Sequence, residues 1–195
     1  MEKAHRLIQN ILSGEMAAFR ELIQTYERLV VHIITPLVTV ETDRQDVCQD
    51  VFIKVYQNLG QFKFKSSLGT WIGRIAYNTG VNYARKKKVP LFDDFQMGND
   101  LTDDSANLAH IVSSADPDPE QLIESADRNH YIRQQIEKLP VLFRTIVTLY
   151  HLEQMSYTDI SEILNLPEGT VKSYLFRGRK KLKELLMAEF AGEKQ

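Results

Sequence analysis

The clearest structural signal in this sequence is SYTDISEILNLPEGTVKSYLFRGRKKL, residues 156–182. Ser156, with Asp159 three residues later, is a capping-box-like start for a short helix. The apolar residues that follow have helical spacing: Ile160, Ile163 and Leu164. The run from Asn165 to Gly169 predicts a tight turn, after which a longer helix begins. Two short helices joined by such a turn are typical of a helix-turn-helix unit.

The second of these helices has an apolar seam and, opposite it, a basic face. The seam consists of Val171, Leu175, Leu182 and Leu186. At about 100° per residue, the opposite side carries Lys172, Ser173, Phe176, Arg177 and Lys180. Arg and Lys donate to guanine O6 and N7, Ser reaches a base or a phosphate, and Phe contacts the thymine methyl. The face therefore predicts a DNA-reading helix; a charged, solvated helix end is the simpler alternative.

Another amphipathic helix is predicted from DRQDVCQDVFIKVY, residues 43–56. One side of its wheel is apolar and carries Val47, Cys48, Val51, Phe52, Val55 and Leu59. The other side carries Asp46, Gln49, Asp50 and Gln57, with Ile53 among them. An aliphatic residue ringed by acids and amides is typical of a small protein interface. A lone exposed Ile on a solvated face remains the alternative.

The stretch SLGTWIGRIAYNTGVNYARKKK, residues 67–88, combines basic, aromatic and amide side chains on one predicted helix. Cations provide affinity for phosphates, and aromatic and amide groups can hold an unstacked base. For Trp71 itself, packing in the core is the favoured interpretation. Gly69, Gly73 and Gly80 each cost about 1 kcal/mol relative to Ala in a helix interior, which predicts a weakened start to this helix.

Charge is unevenly distributed, although the net charge of the 195 residues is only −2. Residues 1–88 hold 13 Lys and Arg against 8 Asp and Glu (+5), residues 89–127 hold 10 acids and no Lys or Arg (−10), and residues 128–195 hold 11 basic and 8 acidic side chains (+3). Turn-forming residues and prolines make the middle segment an expected linker. Two nucleic-acid-facing modules joined by an anionic strap explain this layout, and so does a solvated acidic loop between ordinary domains.

Apolar spacing predicts helices elsewhere as well, with a break at Pro36. The predicted helices are Lys3–Ser13, Glu15–Pro36, Arg44–Leu59, Ser67–Lys88, Pro119–Lys138, Val141–Leu152, Tyr157–Leu164 and Glu168–Phe190. No strict alternation typical of a strand is sustained.

Composition argues against several classes of protein. With 43% hydrophobic and 26% charged residues, global disorder is not expected. The absence of an apolar run near 18 residues, and of an apolar stretch at the N-terminus, predicts a soluble, cytoplasmic protein. One cysteine, five scattered histidines and no Gly-rich phosphate loop or nucleophile motif leave no candidate catalytic residue, metal ligand or cofactor site.

Three motifs together resemble one protein family. The string GTVKSYLFRGRKKL, residues 169–182, is similar to region 4 of bacterial sigma factors of the extracytoplasmic function (ECF) group, and LuxR-type regulators carry a similar helix. Asp46, Gln49, Asp50 and Phe52 match the D-x-x-Q-[DE]-x-F pattern of sigma region 2. Residues 71–78, WIGRIAYN, resemble the segment that opens the −10 promoter element. The alternative is a LuxR-like transcriptional regulator with a helical N-terminal sensing domain.

The resemblance implies an all-α fold of two small helical domains. They would be a region 2-like domain over residues 1–88 and a region 4-like domain over residues 128–195, joined by a flexible acidic linker over residues 89–127. It implies a transcription initiation factor that directs core RNA polymerase to promoters, while the polymerase supplies the chemistry. The implied partners are the β′ clamp helices and the β flap of the polymerase, promoter DNA and an anti-sigma factor.

The resemblance also implies three sets of site residues. The −35 set is Glu168, Thr170, Lys172, Ser173, Phe176, Arg177 and Lys180. The −10 set is Lys63, Lys65, Ser66, Ser67, Trp71, Arg74, Asn78, Arg85 and Lys86. The polymerase-binding set is Asp46, Gln49, Asp50, Ile53 and Gln57.

Overall fold

The computed structural model describes residues 2–87 and 131–192, and all regular elements in those two ranges are helical. The N-terminal unit contains α1 (Glu2–Leu12), α2 (Met16–Ile34), α3 (Glu41–Asn58), a 3₁₀ turn (Leu59–Gln61) and α4 (Leu68–Lys86). The C-terminal unit contains α5, helical over residues 131–137, α6 (Val141–His151), α7 (Tyr157–Leu164) and α8 (Glu168–Gly192). For these residues the all-α prediction is confirmed.

The core of the N-terminal unit lies between α2, α3 and α4. The apolar side of α2 buries Leu22, Leu29, Val30, Ile33 and Ile34. α3 covers it with Val47, Val51 and Val55, which recur every four residues and so share one helical face. Burial of side chains of this size stabilises a fold by about 1.5–3 kcal/mol each, so this shared core fixes the arrangement of the helices.

Two glycines of α4 allow other elements to approach its backbone closely. A Cβ atom added at Gly80 would lie 2.6 Å from Leu37 Cδ1, and one added at Gly73 would lie 2.8 Å from Ile163 Cδ1. Both distances are shorter than carbon atoms tolerate, so an Ala at either position would force the neighbouring Leu37 or Ile163 side chain to shift within a packed core. The helix is nevertheless continuous from Leu68 to Lys86, which differs from the weakened start expected from helix propensity alone.

Local sequence signals define the C-terminal unit. Ser156 Oγ accepts a hydrogen bond from the Asp159 backbone N at 3.1 Å, and Asp159 Oδ2 accepts one from the Ser156 backbone N at 3.2 Å. The predicted capping box is therefore confirmed. Asn165 ends α7 in the left-handed conformation, with φ of 54°, and thereby makes the predicted turn into α8. α6 lies beneath this pair and is buried along most of its length.

The two units share one continuous hydrophobic core. α4 packs against α7 and α2 packs against α6, so buried residues of both units belong to the same cluster. The sequence predicts two small domains without their relative placement, and the structure brings them into direct contact. The predicted linker, residues 89–127, and the first part of the helix predicted over Pro119–Lys138 lie outside the described residues.

The ends of the helices differ from the predicted ends by a few residues. α3 begins at Glu41 rather than Arg44. Glu41 and Asp43 then occupy its first turn, where acidic side chains interact favourably with the positive end of the helix dipole. α2 ends at Ile34, so the predicted break at Pro36 is confirmed.

Candidate nucleic-acid and polymerase interfaces

The apolar side of α8 packs on α6, which leaves the opposite side toward solvent. Val171 and Leu175 are buried, and a Cβ atom on Gly178 would lie 3.0 Å from a valine side chain of α6. On the opposite side, Lys172 and Lys180 are exposed. The rest of the predicted −35 set comprises exposed Glu168 and half-buried Thr170, Ser173, Phe176 and Arg177. Two of the five residues on the predicted basic face are therefore fully accessible and the other three are partly so; the role of this face in DNA reading stays a prediction.

Two members of the −35 set have hydrogen-bond partners within the unit. Ser173 Oγ donates to the Gly169 carbonyl at 3.0 Å, and Thr158 Oγ1 donates to Glu168 Oε1 at 2.7 Å. The second bond ties the first residue of α8 to α7 and so orients the start of the recognition helix. Lys172 and Lys180 are the exposed cations of the −35 set.

An aromatic ladder between α6, α7 and α8 positions two cations of this face. The Lys172 ammonium lies 5.4 Å from the Tyr157 ring centroid, and the Arg179 guanidinium lies 5.0 Å from the Tyr150 centroid. The two tyrosine rings are stacked, with their centroids 5.1 Å apart. Cation–π contacts of this kind restrict a flexible basic side chain to one direction. The helical wheel did not single out Tyr150, Tyr157 or Arg179, although Arg179 lies within the basic stretch of residues 177–183.

His151 also contacts Arg179 in this arrangement. Arg179 Nε donates to His151 Nε2 at 3.1 Å, which requires an unprotonated imidazole nitrogen. Burial, reinforced by the Arg179 charge, lowers the pKa of His151 below its usual value and keeps the ring neutral.

In the −10 set, most of the polar residues are accessible. Lys63, Lys65, Ser67, Arg74, Asn78, Arg85 and Lys86 are exposed, whereas Ser66 and Trp71 are half-buried. Arg74, Asn78 and Arg85 recur at intervals of four and seven and so share one face of α4. Ser67 also has a structural role, because its Oγ accepts a hydrogen bond from the Thr70 backbone N at 3.0 Å and caps α4.

Trp71 belongs to an aromatic cluster at the start of α4. Its ring centroid lies 5.3 Å from that of Phe62, which lies 4.7 Å from that of Phe64. The His5 ring of α1 stacks on Phe64 at 3.7 Å. Phe64 has a φ of 55°, which is strained for a bulky side chain and is held here by both ring contacts. The packing role favoured for Trp71 is thus observed. Phe62, Phe64 and His5 were not predicted, although the sequence FKFK at residues 62–65 contains the signal.

The C-terminal end of α4 is tied to the start of α3. The Tyr83 hydroxyl donates to Asp43 Oδ2, and Lys87 Nζ lies 3.5 Å from the same oxygen. The hydrogen bond from Tyr83, aided by the Lys87 charge, holds the pKa of Asp43 below its usual value. The same bond raises the pKa of Tyr83. Lys87 is thus paired with Asp43, although it is exposed like its neighbours Arg85 and Lys86.

An open groove of about 800 Å³ runs between α2 and α3. Its walls are mainly apolar, and the Phe19 and Tyr56 rings meet edge to face with their centroids 4.9 Å apart. The lining residues are Met16, Phe19, Ile23, Glu27 and Val31 from α2, and Gln45, Cys48, Gln49, Phe52, Ile53, Tyr56 and Gln57 from α3. Met16, Val31, Ile53 and Tyr56 are large apolar side chains that are exposed to solvent. Such a concentration indicates a binding surface.

The groove contains most of the predicted polymerase-binding set. Gln49, Ile53 and Gln57 line it, while Asp46 and Asp50 are exposed on the same helix. The prediction that all five face solvent is confirmed. The α2 wall was missed, although its groove-lining residues form a second stripe at helical spacing. Cys48 is half-buried in the groove, where burial raises the pKa of its thiol and so disfavours the reactive thiolate.

The described residues, 2–87 and 131–192, contain no group of three or more His, Cys, Asp or Glu side chains arranged to hold a metal ion. Within the same ranges, no helix combines the length and the apolar character required to cross a lipid bilayer.

Comparison with known proteins identifies both units. The family model Sigma-70 region 2 matches residues 22–89, and the model Sigma-70, region 4 matches residues 129–182. The ECF RNA polymerase sigma factor SigW of Bacillus subtilis is 30% identical over 179 residues, covering 92% of this chain and 94% of the relative. The ECF RNA polymerase sigma-E factor of Escherichia coli K12 is 33% identical over 175 residues, covering 89% and 88%.

Solved structures show the same fold. CnrH, solved in complex with the cytosolic domain of CnrY, superposes with a TM-score of 0.61 at 22% identity and covers 93% of this chain and 96% of its own. The sigma factor RpoE from Bartonella quintana, solved with the anti-sigma factor NepR, gives 0.59 at 21% identity and covers 87% and 96%. A helix-turn-helix unit preceded by a region 2 domain is not the arrangement of the LuxR-like alternative, which the comparisons do not favour. The chain belongs to the ECF group of the bacterial sigma-70 family and is a transcription initiation factor.

Proposed function

We propose that this sigma factor binds the β′ clamp helices of core RNA polymerase through the groove between α2 and α3, recognises the −10 element with α4, and recognises the −35 element with α8. The observation that carries the polymerase assignment is the groove itself. It exposes several large apolar side chains next to acidic and amide groups, on a chain of the sigma-70 family.

The chemistry of the groove fits an amphipathic helix with a basic flank. The apolar stripe of such a helix would cover Ile53 and Tyr56, and its cations would face Asp46 and Asp50. Complementary charge speeds encounter and fixes register, while burial of apolar area supplies most of the affinity. On this reasoning, burial of Ile53 supplies much of the binding affinity, and the carboxylates of Asp46 and Asp50 orient the partner helix.

For the −35 element, Lys172, Phe176 and Arg177 are assigned to base edges and Lys180 to phosphate. Lys172 is exposed and already oriented by Tyr157, which lowers the entropy that is lost when it binds. Glu168, Thr170 and Ser173 lie in the first two turns of α8, where a recognition helix contacts base edges.

For the −10 element, Lys63, Lys65, Arg85 and Lys86 are assigned to phosphates. The shared face of Arg74 and Asn78 is assigned to the opened strand, with Ser66, Ser67 and Trp71 at the start of α4. Cations and amides at this spacing suit a single strand better than a closed duplex, because an unstacked base exposes its hydrogen-bonding edge.

Further assignments rest on the family. The C-terminal unit is proposed to contact the β flap, and the chain is proposed to act in the cytoplasm without catalytic chemistry of its own. An anti-sigma factor is proposed as a regulator, because RpoE of Bartonella quintana was solved bound to one.

The test combines DNA binding with transcription. The full chain is titrated onto promoter duplex at fixed salt, with and without core polymerase, and run-off transcription is then measured. We expect weak duplex binding by the free chain and specific transcription only with core enzyme, because opening the −10 strand costs a few kcal/mol that a small unit does not supply alone. Tight duplex binding by the isolated chain, with no transcript on adding core enzyme, would contradict the proposal.

A further inference from the structure

We propose that His5, on the first helix, is a base-stacking residue of the −10 site, where an unpaired base of the opened promoter strand stacks on its imidazole ring. The ligand is single-stranded DNA, and the contact is made by the face of the ring rather than by a base-specific hydrogen bond. This inference rests on the proposed assignment of α4 to the −10 element and adds α1 to the surface that holds the opened strand. Ring geometry, exposure and charge each support it.

His5 is the last ring of an aromatic series that begins inside the N-terminal unit. The Phe62 ring lies 5.3 Å from that of Trp71 and 4.7 Å from that of Phe64, and both pairs are tilted, at 51° and 55°. The outer pair differs, because the His5 and Phe64 rings are nearly parallel at 9°, with their centroids 3.7 Å apart. Successive bases of a nucleic-acid strand stack at about 3.4 Å, so the imidazole lies on Phe64 much as one base lies on the next.

Burial decreases along this series from the core to the solvent. Phe62 is buried, Phe64 is half-buried and His5 is exposed. Since one face of the imidazole lies on Phe64, the accessible part of the ring is on the side away from it. A ring that is supported on one side and open on the other is a suitable platform for an unpaired base, because little conformational freedom is lost when the base binds.

The loop before α4 holds these rings and exposes its cations. Phe64 has a φ of 55°, in the left-handed region that a bulky side chain adopts only where packing compensates for the cost. Phe62 and Phe64 are withdrawn from solvent, while Lys63 and Lys65 between and after them are exposed. The two cations therefore flank the ring on which His5 is stacked.

The charged and amide groups around His5 suit the rest of a single strand. Residues 59–67 include Lys63 and Lys65 and no acidic residue, so the loop offers only positive charge to phosphates. Gln9 lies one turn after His5 on the same face of α1 and is exposed, and its amide can both donate to and accept from a base edge. Proteins that hold single strands combine cations for the backbone with aromatic faces for the bases.

Photo-crosslinking detects the contact directly. Core polymerase with the full chain is bound to a fork-junction promoter probe, which has a duplex −35 region and an unpaired non-template −10 strand. 5-Iododeoxyuridine, which crosslinks to aromatic rings stacked on it, replaces one unpaired base at a time. We expect at least one position to crosslink to residue 5 in the parent and in His5→Phe, but not in His5→Leu. Crosslinks to residues 62–71 with none to residue 5 at any position would overturn the proposal, because His5 would then only support the loop.

Salt dependence separates stacking from attraction by charge. The affinity of the holoenzyme for the same probe is measured at several salt concentrations at pH 8. His5→Leu should weaken binding about fivefold or more with the parent slope of log Kd against log salt, because a stacked ring neutralises no phosphate. Lys65→Ala should instead reduce the slope by about one. Leu12→Ala, at an exposed residue of α1 outside the ring series, should match the parent in both affinity and slope.

Retention of a ring provides the rescue. His5→Phe should keep the parent affinity, because it preserves the stacking face and removes only the ring nitrogens. Parent-like affinity for His5→Leu, an equal loss in His5→Phe, or a reduced salt slope in His5→Leu would each overturn the role of the ring. These outcomes leave the proposed function intact as long as the parent chain gives specific transcription with core enzyme, whereas an inactive parent chain would refute the proposed function itself.

Discussion

Ile53 offers the sharpest test of the polymerase-binding groove. Its side chain is 53% exposed, so about half of it remains to be buried by a partner. Full burial of an Ile side chain contributes about 1.5–3 kcal/mol, and the remaining half therefore contributes about 0.8–1.5 kcal/mol. At about 1.4 kcal/mol per tenfold, Ile53→Ala should weaken core binding about 3- to 12-fold. Ile53→Glu should weaken it by more, because the new carboxylate loses water on docking and lies one turn from Asp50.

Val40 provides the matched control. It is 51% exposed, precedes α3 and does not line the groove, so Val40→Glu adds the same charge without changing the binding surface. Affinity is measured by titrating the labelled full chain with core polymerase at fixed salt, and stability by circular-dichroism melting. Ile53→Glu should bind weakly and melt like the parent, while Val40→Glu should match the parent in both. Parent-like affinity for Ile53→Glu would refute the groove assignment, and a large drop in its melting temperature would place Ile53 in the core instead.

Three further predictions concern stability and DNA binding. Gly80→Ala should lower the free energy of unfolding by about 1–2 kcal/mol, because the clash of an added methyl 2.6 Å from a leucine side chain outweighs the helix-propensity gain of about 1 kcal/mol. Gly69→Ala should be close to neutral, and chemical denaturation measures both variants. Tyr157→Leu and Lys172→Ala should show a coupling of about 0.5–1 kcal/mol in holoenzyme binding to −35 DNA, and a coupling near zero would remove the positioning role of the ring. Because the folded state lowers the pKa of Asp43, its carboxylate stabilises the fold at pH values above the pKa of Asp in the unfolded chain, and this effect is lost as the pH falls through the pKa of Asp43 in the folded chain. The melting temperature of Asp43→Asn should therefore lie below that of the parent at pH 7, and the difference should shrink below roughly pH 4.

The parts of the fold that the sequence predicted correctly are set by interactions within a few residues. The capping box at Ser156 and Asp159 spans one turn, and the predicted turn after α7 begins at Asn165, whose own backbone adopts the left-handed conformation. The solvent face of α3 followed from a single helical wheel. In each case the interactions join residues that are close in sequence, so these features can be predicted without the tertiary structure.

The α2 wall of the groove could not be predicted from interactions between residues close in sequence. α2 carries one apolar stripe that is buried in the core and another, with Met16, Ile23 and Val31, that lines the groove. A hydrophobic period indicates which residues avoid water, but a helix with two such stripes does not indicate which of them meets the core. The distinction depends on where α3 lies, and that is a tertiary property.

The contact between the two units involves residues whose roles within their own helices follow from the local sequence, but whose contact with each other does not. Ile163 has the spacing of a helix-turn-helix core residue, and Gly73 lowers helix propensity, so neither pointed to the other across 90 residues of sequence. The cost of a glycine is local, whereas the benefit appears only when a second element fills the space that the missing side chain leaves. Gly73 and Gly80 therefore carry tertiary information, since at each of them a side chain of another element occupies the room that a Cβ atom would need. In α4, Gly80 provides room for Leu37 in the turn after α2, and Gly73 provides room for Ile163 of α7.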